Sequence, residues 1–151
     1  MTEKPNITYN EQMLNVEQEA GSVVFTEEII SDYGNAIGHP QDKSGTRGKI
    51  EVPIGVLNAF FNRSVQKGAN VELEGATVGL NAGRSVEMFE KIFIGDKLNR
   101  SAIFKEVYTK TGRSGTMAFE VWEILFKDSS GKLVARATDS MVYRAPGKAG
   151  G

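Results

Sequence analysis

The sequence predicts an α+β domain in which a curved antiparallel sheet of about five strands wraps around a central helix over about 54–67. Three observations carry that prediction. Two early segments repeat apolar residues at helical spacing, and long alternating segments follow from residue 71 onward. The turns between those long segments are short, so neighbours in sequence are expected to run antiparallel. A helix over 54–67 is about 21 Å long at 1.5 Å per residue, whereas strands of about ten to thirteen residues reach roughly 33–43 Å. The sheet is therefore long enough to curl around the helix.

The first helix is predicted over 27–37. Thr26 suits an N-cap, Glu27 and Glu28 suit the positive end of the helix dipole, and Ile29, Ile30, Tyr33, Ala36 and Ile37 form the stripe. Gly38 stops it. The second helix is announced by "VPIGVLNAFFNRSVQKG", with Pro53 in a first-turn position, Gly68 as the stop, and Val56, Leu57, Phe60, Phe61 and Val65 as a stripe wide enough to be buried. Strands are then expected at 71–80, 84–94, 97–109, 116–127 and 132–144, separated by "NAG", "GD", "KTGRSG" and "DSSG". In "GTMAFEVWEILFK" both alternating faces are largely apolar, which predicts a central strand. In "KLVARATDSMVYR" one face carries Leu133, Ala135, Ala137, Met141 and Tyr143, and the other carries Lys132, Arg136, Thr138 and Arg144.

Length and composition narrow the function. At 151 residues the chain is expected to be a single domain, with its core over about 20–144 and flexible ends at 1–12 and 145–151. Eighteen basic and nineteen acidic residues leave a net charge of −1, too little positive field to suit nucleic acid. The absence of cysteine removes thiolate chemistry and cysteine-held metals, and a single histidine argues against a multi-histidine metal site, so no metal is expected. No apolar run approaches the ~18 residues of a membrane span, and the polar start is unlike a signal peptide. The expected setting is the cytoplasm, without membrane contact.

The only histidine, His39, lies in "AIGHPQDKSG", where the first helix gives way to a polar stretch. Read from the residues alone, Asp42 orienting His39 would make a general base with a pKa near 6.5. The other reading is a surface residue beyond a helix C-terminus. Tyr33 lies on the helix beside this stretch, as a packing ring or a hydroxyl donor.

The segments "FTEEIISDYGNAIG", "VPIGVLNAFF", "FEKIFIGDKLNRSAIFKEV" and "GTMAFEVWEILFKDSSGKLVARATDSMVYR", in that order, resemble the MaoC-like dehydratase family of the hotdog fold over roughly 20–144. They most resemble its N-terminal-type module, which also occurs as a non-catalytic subunit of acyl dehydratases. The resemblance implies hydration of an enoyl thioester, or dehydration of a 3-hydroxyacyl thioester, by an Asp and a His on a motif G-D-x-N-P-[LI]-H. Positioned acids and bases of this kind contribute about 10²–10⁴-fold each. It implies no cofactor beyond the substrate, an acyl-CoA or acyl carrier protein thioester.

Setting Gly38 on the motif's glycine places His39 at the family's Asp, Gln41 at its Asn, Asp42 at its Pro and Ser44 at its catalytic His. Neither catalytic residue matches. The resemblance also implies that the acyl chain lies between the central helix and the sheet. It makes Ile54, Gly55, Val56 and Asn58 candidates for the thioester end and Tyr33 a neighbouring contact. Gly55 would let a backbone approach closely, and Asn58 offers an amide. The expected function is the non-catalytic or substrate-binding half of a dehydratase, working as a homodimer or as a heterodimer with a catalytic hotdog subunit. The alternatives are a homodimeric hydratase or thioesterase with an atypical site, and an acyl-CoA binding module without catalysis.

Overall fold

Thr26 is extended, and its Oγ1 accepts a hydrogen bond from the Ile29 amide at 3.3 Å, so the first helix starts where the cap residue predicts. This helix, α1, spans Glu27–Ile37 and stops at Gly38, whose φ of 73° is a left-handed C-cap that a β-carbon would disfavour. Ile30 and Gly34 form its buried face. The structure, a computed structural model, describes residues 5–38, 50–60 and 66–146.

The second helix departs from expectation. Ile54–Phe60 is a 3-10 helix, and 61–65 lie outside the described residues. The Val56 amide bonds to the Pro53 carbonyl at 3.0 Å, an i to i−3 closure. Gly55 and two β-branched neighbours, Ile54 and Val56, hold the local preference for a regular α-helix low. The segment still lies against the core. Val56 and Leu57 are buried, and Phe60 meets Phe25 and Phe126 edge-on with ring centroids 5.4 and 6.4 Å away.

Five strands make the main sheet: β2 (Glu17–Val24), β4 (Val78–Met88), β5 (Lys97–Gly112), β6 (Gly115–Lys127) and β7 (Leu133–Pro146). The two-residue strands β1 (Ile7–Thr8) and β3 (Glu72–Leu73) pair separately. The order in the main sheet is β2-β5-β6-β7-β4, antiparallel throughout. As expected, β6 is central, and its residues alternate strictly between buried and half-buried.

The path into the sheet corrects the expected meander in two places. The strands expected at 71–80 and 84–94 are replaced by one, β4, which runs through "NAG" with a bulge between Asn81 and Gly83. Asn81 Oδ1 accepts the Gly83 amide at 3.1 Å, so these turn-forming residues bend a strand instead of reversing it. The fifth strand comes from ahead of α1. "EQEAGSVV" reads as mostly polar because β2 is an edge strand with little to bury.

The shared core joins Phe25 and Ile30, Val56 and Leu57 of the central segment, and Phe104, Trp122, Ile124 and Phe126 of the sheet. The inner face of the sheet is therefore the one that meets both helical elements. Among the described residues, no helix is long and apolar enough to cross a membrane.

Candidate functional site

Tyr33 projects from the second turn of α1 onto the start of the central segment, where Gly55 lets the ring lie against the backbone. A β-carbon built at Gly55 would lie 2.7 Å from Tyr33 Cζ and 2.9 Å from Cε2, with the hydroxyl closer still. Tyr33 is half-buried, and among the described residues its hydroxyl makes no hydrogen bond. It is a donor placed against bare backbone with its capacity unused.

The other expected contacts separate by depth. Ile54 is 47 % exposed and Asn58 is exposed, so both face outward from the segment. Val56 is buried and belongs to the core. The structure thus brings Tyr33 and Gly55 together and leaves Ile54 and Asn58 at the nearby surface. His39 and Asp42 lie outside the described residues.

Sequence reasoning missed a polar cluster on the inner face of the sheet. Asp139 on β7 is 2 % exposed and accepts hydrogen bonds from Gln66 Nε2 at 2.7 Å, Asn81 Nδ2 at 2.7 Å and Arg84 Nε at 2.9 Å. Its cross-strand partner is Trp122. Glu120 on β6, also 2 % exposed, accepts from Trp122 Nε1 at 2.5 Å and from the Tyr143 hydroxyl at 2.8 Å. Two carboxyl groups are therefore buried on the inner face, each accepting hydrogen bonds from neighbouring side chains, as buried polar groups must. A signal was present: Asp139 occupies the apolar register of β7, between Ala137 and Met141.

Arg100 on β5 turns inward, opposite Phe126 of β6. Its Nη2 donates to the Ala20 carbonyl at 2.8 Å and its Nη1 to the Phe60 carbonyl at 3.3 Å, while Nε is buried with no partner among the described residues. Burial holds its pKa below the usual arginine range. Beside it an open groove of about 370 Å³ is lined by Glu17, Glu19, Lys127 and Asp128 together with Arg100 itself. Its charged lining is unsuited to an acyl chain. Among the described residues, none are grouped so as to hold a metal ion.

The arrangement of a short helical segment against the inner face of a β2-β5-β6-β7-β4 sheet is shared with solved structures. The MaoC-like dehydratase from Rhodospirillum rubrum superposes with a TM-score of 0.61 at 14% identity, over 93% of this chain and 99% of that one. The chain has the hotdog fold. Two further hotdog neighbours are complexes from Mycobacterium tuberculosis. ChsH1–ChsH2 matches with a TM-score of 0.64 at 13% identity, over 89% of this chain and 86% of that one. The HadBC (3R-hydroxyacyl-ACP dehydratase) complex matches with a TM-score of 0.64 at 14% identity, over 86% of this chain and 96% of that one. No family model and no curated protein matches the sequence. The likeness is therefore one of hotdog architecture, at 13–14% identity.

Proposed function

We propose that this hotdog chain is the acyl-thioester-binding, non-catalytic subunit of a 3-hydroxyacyl dehydratase or enoyl hydratase, acting with a second hotdog subunit that carries the Asp and His. The observation that carries this reading is a contrast. The fold is that of dehydratases, yet the chain holds one histidine, and no register of the loop after α1 supplies the Asp/His pair. That two of its structural neighbours are named as complexes supports a division of labour between subunits.

The strand β4 supplies a plausible seam. It lies at one end of the sheet, and one of its hydrogen-bonding edges has no partner strand among the described residues. An unpaired edge of this kind recruits a further strand. The thioester end of the substrate is assigned to the contact between Tyr33 and Gly55, where the phenol has a proton to donate to a carbonyl oxygen. The free Tyr33 hydroxyl also favours a second reading, an atypical enzyme acting alone, with no partner needed.

One experiment separates these readings. Hydration of a crotonyl or longer enoyl thioester is followed at the loss of the conjugated absorbance, first with the pure protein and then with a partner carrying the intact Asp/His motif. Turnover only in the mixture is the expected result. Turnover by the pure protein would establish the stand-alone enzyme instead, and saturable thioester binding without turnover in either case would leave a binding module.

A further inference from the structure

The outer face of the sheet, turned away from both helical elements, carries its own pattern. Register places Tyr108 opposite Phe119, Phe119 opposite Val142 and Val142 opposite Leu80, so an apolar row crosses β5, β6, β7 and β4 without interruption. Tyr108 and Phe119 stack with ring centroids 4.7 Å apart, and Tyr108 and Leu80 are 37 % and 60 % exposed. On one side the next row reads Lys110, Met117, Arg144 and Val78. On the other it reads Glu106, Val121, Ser140 and Gly83. The patch is thus apolar along its middle, basic on one flank and acidic on the other.

We propose that this face binds a second copy of the chain, the two sheets stacked face to face about a two-fold axis that lies along the Tyr108–Phe119–Val142–Leu80 row. The charge pattern selects that partner. Rotation about the row carries each flank onto the opposite flank of the other copy, while positions across the strands are kept. Lys110 of each copy then lies over Glu106 of its mate, Met117 over Val121 and Arg144 over Ser140, with each pairing made twice by symmetry. One row farther out, Glu123 meets Gly115, so no like charges face each other. Lys110 Nζ already sits over the Tyr108 and Phe119 rings at 5.9 and 5.5 Å. Neither Glu106 nor Lys110 is used in an ion pair within the described residues.

Size sets the expected strength. Three rows by four strands, at about 6.7 Å between rows and about 4.8 Å between strands, cover roughly 300–400 Å². That compares with roughly 800 Å² per partner in a standard interface, and exposed patches of this size are commonly functional. The dimer is therefore weak and forms with rising concentration. It is independent of the partner proposed above, because that pairing uses the edge of β4 and leaves the outer face open.

The test is sedimentation velocity on the full chain from about 5 to 300 μM, with Lys110→Glu, Glu106→Lys and the double variant alongside. The expected result is a concentration-dependent dimer that each single reversal weakens about tenfold or more and that the double variant restores to within about threefold. All three changes are on exposed side chains, so the fold survives them. A chain that stays monomeric at 300 μM overturns the proposal. So does a dimer that neither single reversal weakens, which would place the contact elsewhere, and so does a double variant no better than the singles.

Discussion

The ring of Tyr33 lies so close to the Gly55 backbone that a β-carbon at position 55 would come within 2.7 Å of Tyr33 Cζ. Gly55→Ala must therefore displace the ring or the central segment, and overpacking of this kind costs about 1–3 kcal/mol. The drop in Tm is expected to shrink when Gly55→Ala is combined with Tyr33→Ala, because the clash then has no partner. A double-mutant cycle on thermal melts measures the coupling, expected above about 0.5 kcal/mol.

Tyr33→Phe separates packing from chemistry. The hydroxyl makes no hydrogen bond among the described residues, so its loss is expected to change stability by less than about 0.5 kcal/mol. If the phenol donates to a thioester carbonyl, the same change weakens acyl-thioester binding by up to about tenfold, the worth of one hydrogen bond. Titration of a non-hydrolysable thioester analogue reads the effect directly. Equal affinity for both proteins removes Tyr33 from the site.

Asp139 and Arg84 form an ion pair with unequal ends, side chains 3 % and 37 % exposed. Asp139→Ala strands Gln66 Nε2 and Asn81 Nδ2 beside a void and is expected to cost about 2–3 kcal/mol. It also loosens the bulge of β4, visible as faster amide exchange around Gly83. Arg84→Ala, on the side that water can reach, is expected to cost less than about 1 kcal/mol.

Glu120 is read out by the only tryptophan in the chain. Glu120→Leu removes the acceptor for Trp122 Nε1 and for the Tyr143 hydroxyl, with an expected cost of about 1–3 kcal/mol and a shift in Trp122 emission. Glu120→Gln keeps one carbonyl oxygen and is expected to fall between wild type and the leucine variant. Identical emission spectra for all three proteins would contradict the bond between Trp122 and Glu120.

Glu17 ties β2 to its neighbours. Its Oε1 accepts from Lys127 Nζ at 2.7 Å and from Ser101 Oγ at 2.6 Å, and these bonds, that to Lys127 first, hold its pKa below the usual glutamate range. A carboxylate with a depressed folded pKa contributes stability in full above its unfolded value, about 4.3, and loses it as pH falls through the folded value. Glu17→Gln should therefore lower Tm slightly at pH 7 and leave it nearly unchanged at about pH 3. Equal losses at both pH values would show that the bonds to the ionised form contribute nothing.

Local signals carried their own elements well. Thr26, Glu27, Glu28 and Gly38 marked both ends of α1, and the doubly apolar alternation around Trp122 marked β6 as central. Asp96 and Asp128 serve the turns their neighbours announced, accepting the amides of Phe93 and Ser130 at 2.9 Å each. Each of these features depends on residues within a few positions of one another, where capping, periodicity and turn chemistry act.

The sequence by itself determined the α+β class, the first helix, the three long C-terminal strands and the absence of the motif G-D-x-N-P-[LI]-H. Tertiary structure decided that Glu17–Val24 is the fifth strand, that "NAG" bends β4 instead of ending it, and that Asp139 and Glu120 are both buried. It also decided that Tyr33 meets Gly55. These outcomes rest on contacts between residues far apart in the chain. An edge strand needs few apolar residues of its own once β5 offers it hydrogen bonds, and a carboxylate can be buried only where distant donors such as Gln66, Asn81 and Arg84 converge on it.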